Sequence, residues 1–342
     1  MIVEFLPGAP REAVERIRTL LLTEGCDVAE VFAGRVVMLI ADRHWQTPPL
    51  DLTSQVKANE WVADVRGLET LIPKVGGDAL KPFAVRGFRF GGDDLALIAG
   101  PCTVETYEAL LQTAQVARRA GAQFLRGGAF KPTTSPYSYQ GGGEEALQAL
   151  AAVRREMDMG VVTEVMSPAQ VERVAQAADI LQVGARNMQN FDLLREVGRS
   201  GAPVLLKRGF GATLDEWLNA AEHIAVAGSE RIILCERGIR SFDPLTRASL
   251  DVSGIAAART RTHLPVLADP SHAAGVRRFV EPLALAAVAA GAVGLIVEVH
   301  PDPESSVKDG AQTLDFDSFA RLALRARAVW GALHGERHAD LQ

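Results

Sequence analysis

The chain has 342 residues, which is enough for one large domain and one small one. Its 36 basic and 42 acidic residues give a net charge of −6, which argues against general nucleic-acid binding and requires any anion site to be a local cluster of cations. The three cysteines, Cys26, Cys102 and Cys235, are too few for a disulfide framework. The N-terminus lacks the pattern of a signal peptide, and the longest apolar run, 283–297, is shorter than the ~20 residues of a membrane span. We therefore expect a cytoplasmic protein without a membrane partner.

Residues 1–72 predict a small α+β domain. A strand, MIVEFLP, precedes a helix whose apolar positions recur at spacings of three and four residues. Two short strands follow, then a helix from about Leu52 to Asp64, and then a last strand in RGLETLIP, 66–73. The order βαββαβ is that of the ferredoxin-like fold. Residues 73–86 are rich in Gly and Pro and indicate a linker, and the segment GFRFGG after them indicates a hairpin.

Residues 87–335 show a repeated pattern of apolar runs that end in reactive side chains, separated by amphipathic segments rich in Ala and Leu. The eight runs are LALIAGPC (95–102), AQFLRGGAFK (122–131), GVVTEV (160–165), ILQVGAR (180–186), PVLLKR (203–208), RIILCER (231–237), PVLADPSH (265–272) and VGLIVEVH (293–300). Eight strand–helix units predict an α/β fold of the (β/α)8 TIM-barrel type. A doubly wound open sheet is the alternative, and the absence of a G-x-G-x-x-G turn argues against it.

Four residues predict a metal site. Cys102 ends the first barrel strand, His272 the seventh and Glu298 the eighth, and Asp309 lies in the loop beyond. A closed barrel places strands seven, eight and one side by side, so these residues converge. One sulfur, one nitrogen and two oxygen ligands suit a single divalent Mn, Fe, Co or Zn ion. Each residue alone has an ordinary structural explanation, such as a small buried cysteine or a core histidine.

Five cations also fall at or just past strand ends, and they are Arg126, Lys131, Arg186, Lys207 and Arg237. Arg and Lys are rarely buried without a partner, and together they bind phosphate and carboxylate groups. Surface salt bridges are the alternative. Arg208 should point away from Lys207 because side chains alternate along a strand, and Cys235 is interpreted as a packing residue.

These residues occur within stretches that resemble 3-deoxy-D-arabino-heptulosonate 7-phosphate (DAHP) synthases of type I-beta. The similar stretches are IAGPCTVE (98–105), LRGGAFKPTTSPYSYQG (125–141), VVTEVMSP (161–168), QVGARNMQNF (182–191), PVLLKRGF (203–210), ILCERGIRSF (233–242), LADPSH (267–272) and IVEVHPDPESSVKDGAQTLDF (296–316). They cover nearly the whole predicted barrel, and the N-terminal domain fits the family in outline.

The resemblance implies roles for individual residues. Cys102, His272, Glu298 and Asp309 match the metal ligands. The five cations match the grip on phosphoenolpyruvate, with Ala185 beside Arg186. Pro132, Thr134 and Ser135 match the loop that meets erythrose 4-phosphate. Glu164 and Asp269 lie in matched segments and support the site. With Lys131 they are the catalytic candidates, and our hypothesis for the mechanism is that Lys131 donates a proton to the new alkoxide and Glu164 handles the water.

One loop position departs from the family. Where the family has Lys-Pro-Arg-Thr-Ser or Lys-Pro-Arg-Thr-Thr, this chain has Lys-Pro-Thr-Thr-Ser at 131–135, so Thr133 replaces an arginine. Loss of one charge-assisted contact costs about 1.5–3 kcal/mol. The related octulosonate synthases have Lys-Ala-Asn-Arg in this loop, and Pro132 argues against membership of that group.

The resemblance implies a metal-dependent condensation of phosphoenolpyruvate with erythrose 4-phosphate that opens the shikimate pathway, without an organic cofactor. It also implies an allosteric N-terminal domain that binds an aromatic amino acid, and a homo-oligomer, either a dimer or a tetramer. Three alternatives remain open: a related synthase with another acceptor, a weakly active regulatory paralogue, and a Schiff-base aldolase with Lys207 as the nucleophile.

Overall fold

The computed structural model describes residues 1–33, 36–42, 50–66, 72–133 and 135–334. The chain divides into two compact units, Met1–Lys74 and Val75–Gln342. None of the helices in these described ranges is long and apolar enough to cross a membrane.

The first unit has the predicted ferredoxin-like fold. Its elements are β1 (Ile2–Phe5), α1 (Arg11–Thr23), β2 (Asp27–Ala33), β3 (Val36–Asp42), α2 (Leu50–Lys57) and β4 (Val62–Arg66). The strands form one antiparallel sheet in the order β2-β3-β1-β4. Val14, Ile17 and Leu21 of α1 pack with Phe5 and Leu39 of the sheet in a single apolar core.

The second half of this unit differs from the prediction. Helix α2 ends at Lys57 instead of continuing to Asp64, and β4 lies over Val62–Arg66 instead of 66–73. The Asn59 side-chain oxygen accepts a hydrogen bond from the Trp61 amide at 3.0 Å, a local turn that competes with the helix. Val62 and Val65 then pack against the core, so burial selects the strand. Residues 67–71 of the predicted strand lie outside the described residues.

The second unit is a closed parallel barrel, as predicted. Its strands are β7 (Ala96–Gly100), β8 (Phe124–Arg126), β9 (Gly160–Glu164), β10 (Ile180–Val183), β11 (Val204–Lys207), β12 (Ile232–Glu236), β13 (Val266–Ala268) and β14 (Gly294–Glu298). Strand β14 closes against β7, with Glu298 opposite Gly100. Every strand residue is buried, which is typical of a parallel sheet covered by helices.

Helices follow the strands around the barrel. They are α3 (Tyr107–Arg119), α4 (Gly143–Met157), α5 (Val171–Ala177), α6 (Phe191–Arg199), α7 (Leu214–Ala227), α8 (Val252–Ala258), α9 (Pro270–Ala274), α10 (Arg277–Ala289) and α11 (Phe316–His334). Their apolar faces bury residues such as Leu150, Trp217 and Phe319. This arrangement places the loops after the strands at one end of the barrel, where the active sites of this fold lie.

A hairpin precedes the barrel. Strands β5 (Phe83–Val85) and β6 (Phe88–Phe90) pair antiparallel, so the hairpin begins inside the stretch predicted as a linker. Rings of Phe88 and Phe90 lie 6.1 and 5.1 Å from the ring of Phe124, at the start of β8. The hairpin is therefore packed at the amino ends of the strands, opposite the end that carries the candidate site.

Candidate active site at the carboxyl ends of the barrel strands

Four potential metal ligands meet at one point of the barrel mouth. Cys102 follows β7, His272 lies in α9 after β13, Glu298 ends β14 and Asp309 lies in the loop beyond β14. Their ligand atoms all lie within 4.8 Å of one another. The Cys102 Sγ is 3.1 Å from Asp309 Oδ2, and His272 Nε2 is 3.4 Å from Glu298 Oε1. The structure thus brings together the four residues that the sequence placed on adjacent strand ends.

The ligand side chains are held by neighbours. Asp269 Oδ2 lies 2.8 Å from His272 Nδ1, which leaves Nε2 directed toward the other ligands. Gln312 Nε2 donates to Glu298 Oε2 at 2.5 Å, and Arg247 donates to Asp309 Oδ1 at 3.0 Å. Partners of this kind orient metal ligands and set the histidine tautomer.

The electrostatics of the cluster fit a cation. Burial raises the pKa of the Cys102 thiol, and the Glu298 carboxylate raises it further. Burial also raises the pKa of Asp309, but His272, the Cys102 hydrogen bond and Arg247 lower it overall, to about 2. Two carboxylates and a thiol therefore converge, and two of these residues, Cys102 and Glu298, are buried. A divalent ion would offset the carboxylate charge and favour the thiolate.

A cavity beside this cluster is lined by the predicted cations. Its lining residues include Arg126, Lys131, Arg186, Lys207, Arg237, Pro132, Glu164, Ala185, His272 and Asp309. Ser135 is exposed and is not among the lining residues, and Thr134 lies outside the described residues. The cavity and the metal cluster share His272 and Asp309, so a ligand in the cavity would lie against the metal position.

Two of the cations are paired and one is not fully satisfied. Arg126 contacts Glu298 at 3.1 Å, and Lys207 contacts Asp269 at 2.5 Å. Arg237 is 3% exposed, and its Nη1 finds no hydrogen-bond partner among the described residues. Burial lowers the pKa of Arg237, and the nearby Arg247 and Arg186 lower it further against an opposing effect of Asp269. A bound anion would satisfy this group.

Arg237 and Arg186 also share a ring. Their guanidinium carbons lie 4.6 and 5.2 Å from the centre of the Phe210 ring. Cation–π contacts of this kind hold the planar groups in place without using their hydrogen bonds. For Arg237, the ring contact leaves the buried Nη1 available to a ligand.

Glu164 also lines the cavity, at the end of β9. Its Oε2 accepts from Gln182 Nε2 at 3.2 Å, and its buried Oε1 has no hydrogen-bond partner among the described residues. The carboxylate packs directly over Gly184, where a β-carbon would come within 2.0 Å of Oε1. The free oxygen can accept a proton or a water hydrogen bond within the cavity.

Several lining residues were not predicted from the sequence. Gln182 and Phe210 lie inside the stretches that carry the family resemblance, and this location could have identified them as lining residues. Lys308 likewise lies inside such a stretch, 296–316. Arg247 lies outside all of them, on a loop without a hydrophobic period, so only the folded structure places it at the cavity. Arg208, which strand alternation excluded from the site, pairs with Glu236 and Asp251 outside the cavity.

Comparisons with known proteins show which family the chain is similar to. A phospho-2-dehydro-3-deoxyheptonate aldolase of Thermotoga maritima is 41% identical over 97% of this chain and 98% of its own length. A 2-dehydro-3-deoxyphosphooctonate aldolase of Alkalilimnicola ehrlichii is 36% identical over 69% of this chain and 91% of its own.

Two solved structures of a DAHP synthase are also similar to this chain. The crystal structure of the Thermotoga maritima DAHP synthase has a TM-score of 0.77 and 39% identity, and covers 97% of this chain and 98% of its own. A truncated form of the synthase from that organism has a TM-score of 0.72 and 43% identity, and covers 77% of this chain and 98% of its own. Residues 76–330 match the DAHP synthetase I family, and the chain therefore belongs to it.

Proposed function

We propose that this protein condenses phosphoenolpyruvate with erythrose 4-phosphate to give DAHP and inorganic phosphate, the first step of the shikimate pathway. The observation that carries the proposal is the sharing of His272 and Asp309 between a four-residue metal cluster and a cation-lined cavity. The relative from Thermotoga maritima, which matches over nearly the whole chain, bears the name of this activity.

Cys102, His272, Glu298 and Asp309 would hold one divalent ion, of which Mn, Fe, Co and Zn all suit the ligand set. When bound, the ion supplies Lewis-acid polarisation of the aldehyde oxygen of the acceptor. No organic cofactor is required. Cys102 must stay reduced to serve as a ligand, and this supports a reducing compartment such as the cytoplasm.

The other residues bind and orient the substrates. Arg186, Lys207 and Arg237 hold the phosphate and carboxylate of phosphoenolpyruvate, and Arg126 completes this grip beside Glu298. Asp269 acts through its contacts to Lys207 and His272, which makes it a positioning residue. Pro132, Thr134 and Ser135 belong to the loop proposed to meet the second substrate, with Ala185 at the cavity wall.

Lys131 and Glu164 handle protons. The third carbon of phosphoenolpyruvate forms a bond to the aldehyde carbon, and the new alkoxide takes a proton from Lys131. Burial lowers the pKa of Lys131, but Cys102, Glu164 and Glu298 raise it overall, so the amine carries a proton to give. Formation of that bond leaves the second carbon electron-deficient, so water adds there and Glu164 accepts one of its protons. The hydroxyl left on the second carbon then gives its proton to the departing phosphate as the carbon–oxygen bond breaks, and the second carbon becomes the ketone of DAHP.

A single assay tests this function and its nearest alternative. Phosphate release is measured with phosphoenolpyruvate and either erythrose 4-phosphate or arabinose 5-phosphate, before and after chelation. We expect turnover with erythrose 4-phosphate that chelation abolishes and a divalent ion restores. Preference for arabinose 5-phosphate would instead assign the activity named for the octulosonate relatives. Full activity in metal-free protein, or a borohydride-trapped adduct on Lys207, would contradict the mechanism.

We propose a regulatory role for the N-terminal unit, with an aromatic amino acid as effector and a homo-oligomer as the working form. The separate apolar core of the unit supports a self-contained regulatory role. The aromatic effector and the homo-oligomer are proposed from the family resemblance alone. Removal of residues 1–72 should leave an active enzyme that no longer responds to Phe or Tyr, measured as turnover against effector concentration. A truncated protein that is still inhibited would overturn the role.

A further inference from the structure

Two cations at the rim of the cavity are not used by the proposed mechanism. Arg247, whose side chain is 36% exposed, donates to Asp309 Oδ1 and to Gln312 Oε1, both at 3.0 Å. Lys308 is the residue before Asp309 and also lines the cavity. Its ammonium group makes no ion pair with any residue that the structure describes. Both cations therefore flank the same metal ligand.

The backbone at Lys308 is fixed on both sides. Glu105 Oε1 accepts from the Val307 amide at 2.9 Å and from the Ser306 hydroxyl. The Ser306 hydroxyl also lies 2.9 Å from the Lys308 carbonyl oxygen, and the Thr313 hydroxyl donates to the Asp309 carbonyl oxygen at 2.9 Å. A cation on such an anchored loop is held near its working position before any ligand binds, which lowers the entropic cost of binding.

At position 133, next to the cation Lys131 in its loop, the cavity wall offers only a neutral side chain to an anion. The Thr133 hydroxyl donates to the Ser135 carbonyl oxygen at 2.9 Å and accepts from Gln140 Nε2 at 2.7 Å. Both bonds stay within the loop, so this hydroxyl stabilises the loop conformation. A neutral hydroxyl is in any case a weaker partner for phosphate than a charged donor.

The charges of the two substrates also require more than the deep cations. Phosphoenolpyruvate brings a carboxylate and a phosphate, and a tetrose phosphate brings a second phosphate. Arg126 and Lys207 are already paired with Glu298 and Asp269. Arg247 and Lys308 line the same cavity as the metal ligand Asp309, so an acceptor whose aldehyde oxygen lies at the metal ligands can place the phosphate at the other end of its four-carbon chain within their reach.

We infer that Lys308, with Arg247 beside it, binds the phosphate group of the aldose-phosphate acceptor and sets the preference for a phosphorylated aldehyde. This assignment rests on the proposed function, because it uses the acceptor of that reaction. Lys308 acts by direct contact with substrate. Arg247 has a second task, since it also holds Asp309.

The test compares Lys308→Met with the wild type on two acceptors, erythrose 4-phosphate and unphosphorylated erythrose. We expect kcat/KM for erythrose 4-phosphate to fall about tenfold or more, as for loss of one charge-assisted contact. Activity with erythrose and the KM for phosphoenolpyruvate should stay unchanged. Lys308→Arg should restore most of the loss, and Lys81→Met, on the exposed surface of the same unit, is the matched control. Equal losses on both acceptors, or an effect on phosphoenolpyruvate alone, would overturn the assignment.

Binding separates this inference from the proposed function. Calorimetric titration of the full chain with erythrose 4-phosphate, without phosphoenolpyruvate, should show a dissociation constant about tenfold weaker in Lys308→Met at equal metal content. If the wild type binds erythrose 4-phosphate but makes no DAHP, the proposed function fails, and the titration alone decides the phosphate site. An unchanged dissociation constant, or no binding by the wild type, would overturn it.

Discussion

Two buried arginines at neighbouring strand ends illustrate how the inner and outer faces of the barrel differ. Arg208 follows β11 and faces outward, where it contacts Glu236 at 3.0 Å, Asp251 at 2.8 Å and the Ala212 carbonyl oxygen. Arg237 follows β12 and faces the cavity, where its Nη1 lacks a partner among the described residues. Both are almost fully buried, with 5% and 3% exposure.

The direction of the pKa shift separates them. Burial lowers the pKa of Arg208, but the hydrogen bonds and charges of Asp251 and Glu236 raise it overall. Burial lowers the pKa of Arg237, and the cations Arg247 and Arg186 lower it further. A buried cation that is fully paired joins a strand to the surrounding helices. A buried cation among other cations needs a bound anion to offset its charge and accept its hydrogen bonds. Such groups mark functional sites.

The largest expected effect is on stability, from Arg208→Met. The substitution leaves Glu236, which is fully buried, without its cation. Removing one partner of a buried pair costs about 3–5 kcal/mol. We expect the free energy of unfolding to fall by that amount in urea denaturation, with turnover per folded molecule unchanged. A loss below 1 kcal/mol would show that water or a rearranged neighbour compensates Glu236, and would remove the contrast with Arg237.

Much of this contrast could be predicted from the sequence. Strand alternation places Lys207 and Arg208 on opposite faces, and the closure of β14 against β7 explains why Cys102 and Glu298 meet. The five cations were identified because each ends an apolar run. The site residues could thus be predicted because each is a reactive side chain at the end of an apolar strand, on the face that alternation directs toward the site.

Other parts of the site follow from loops and could not be predicted. The loop that carries Lys308 is anchored to Glu105, and the side chain of Arg247 is held by its own bond to Asp309; such contacts leave no period in the sequence. Asp309 adopts a left-handed φ of 57° that no pattern indicated. In the N-terminal unit, α2 ends earlier and β4 begins earlier than the periodicity predicts. The turn at Asn59, with its side-chain hydrogen bond to the Trp61 amide, competes with the helix there.

The smaller effect, from Arg237→Met, tests the other half of the comparison. Because this guanidinium is buried and incompletely paired, its removal should change the free energy of unfolding by less than about 1 kcal/mol, or increase it. Binding of phosphoenolpyruvate should weaken about 10- to 100-fold, since a charge-assisted bond to the anion is lost. Urea denaturation and titration with phosphoenolpyruvate measure the two quantities on the same preparation.

Arg208→Met and Arg237→Met make the same chemical change, so a difference between their effects reports on the surroundings of the two arginines. A stability loss in Arg237→Met as large as in Arg208→Met would mean that Arg237 is a structural cation whose partner is supplied by the protein. Unchanged affinity for phosphoenolpyruvate would mean that the anion lies elsewhere in the cavity, against Arg186 or Lys207. The expected result is that Arg208→Met loses stability and Arg237→Met loses affinity for phosphoenolpyruvate. That result would show that Arg237 is buried with an unsatisfied Nη1 because the substrate supplies its hydrogen-bond partner.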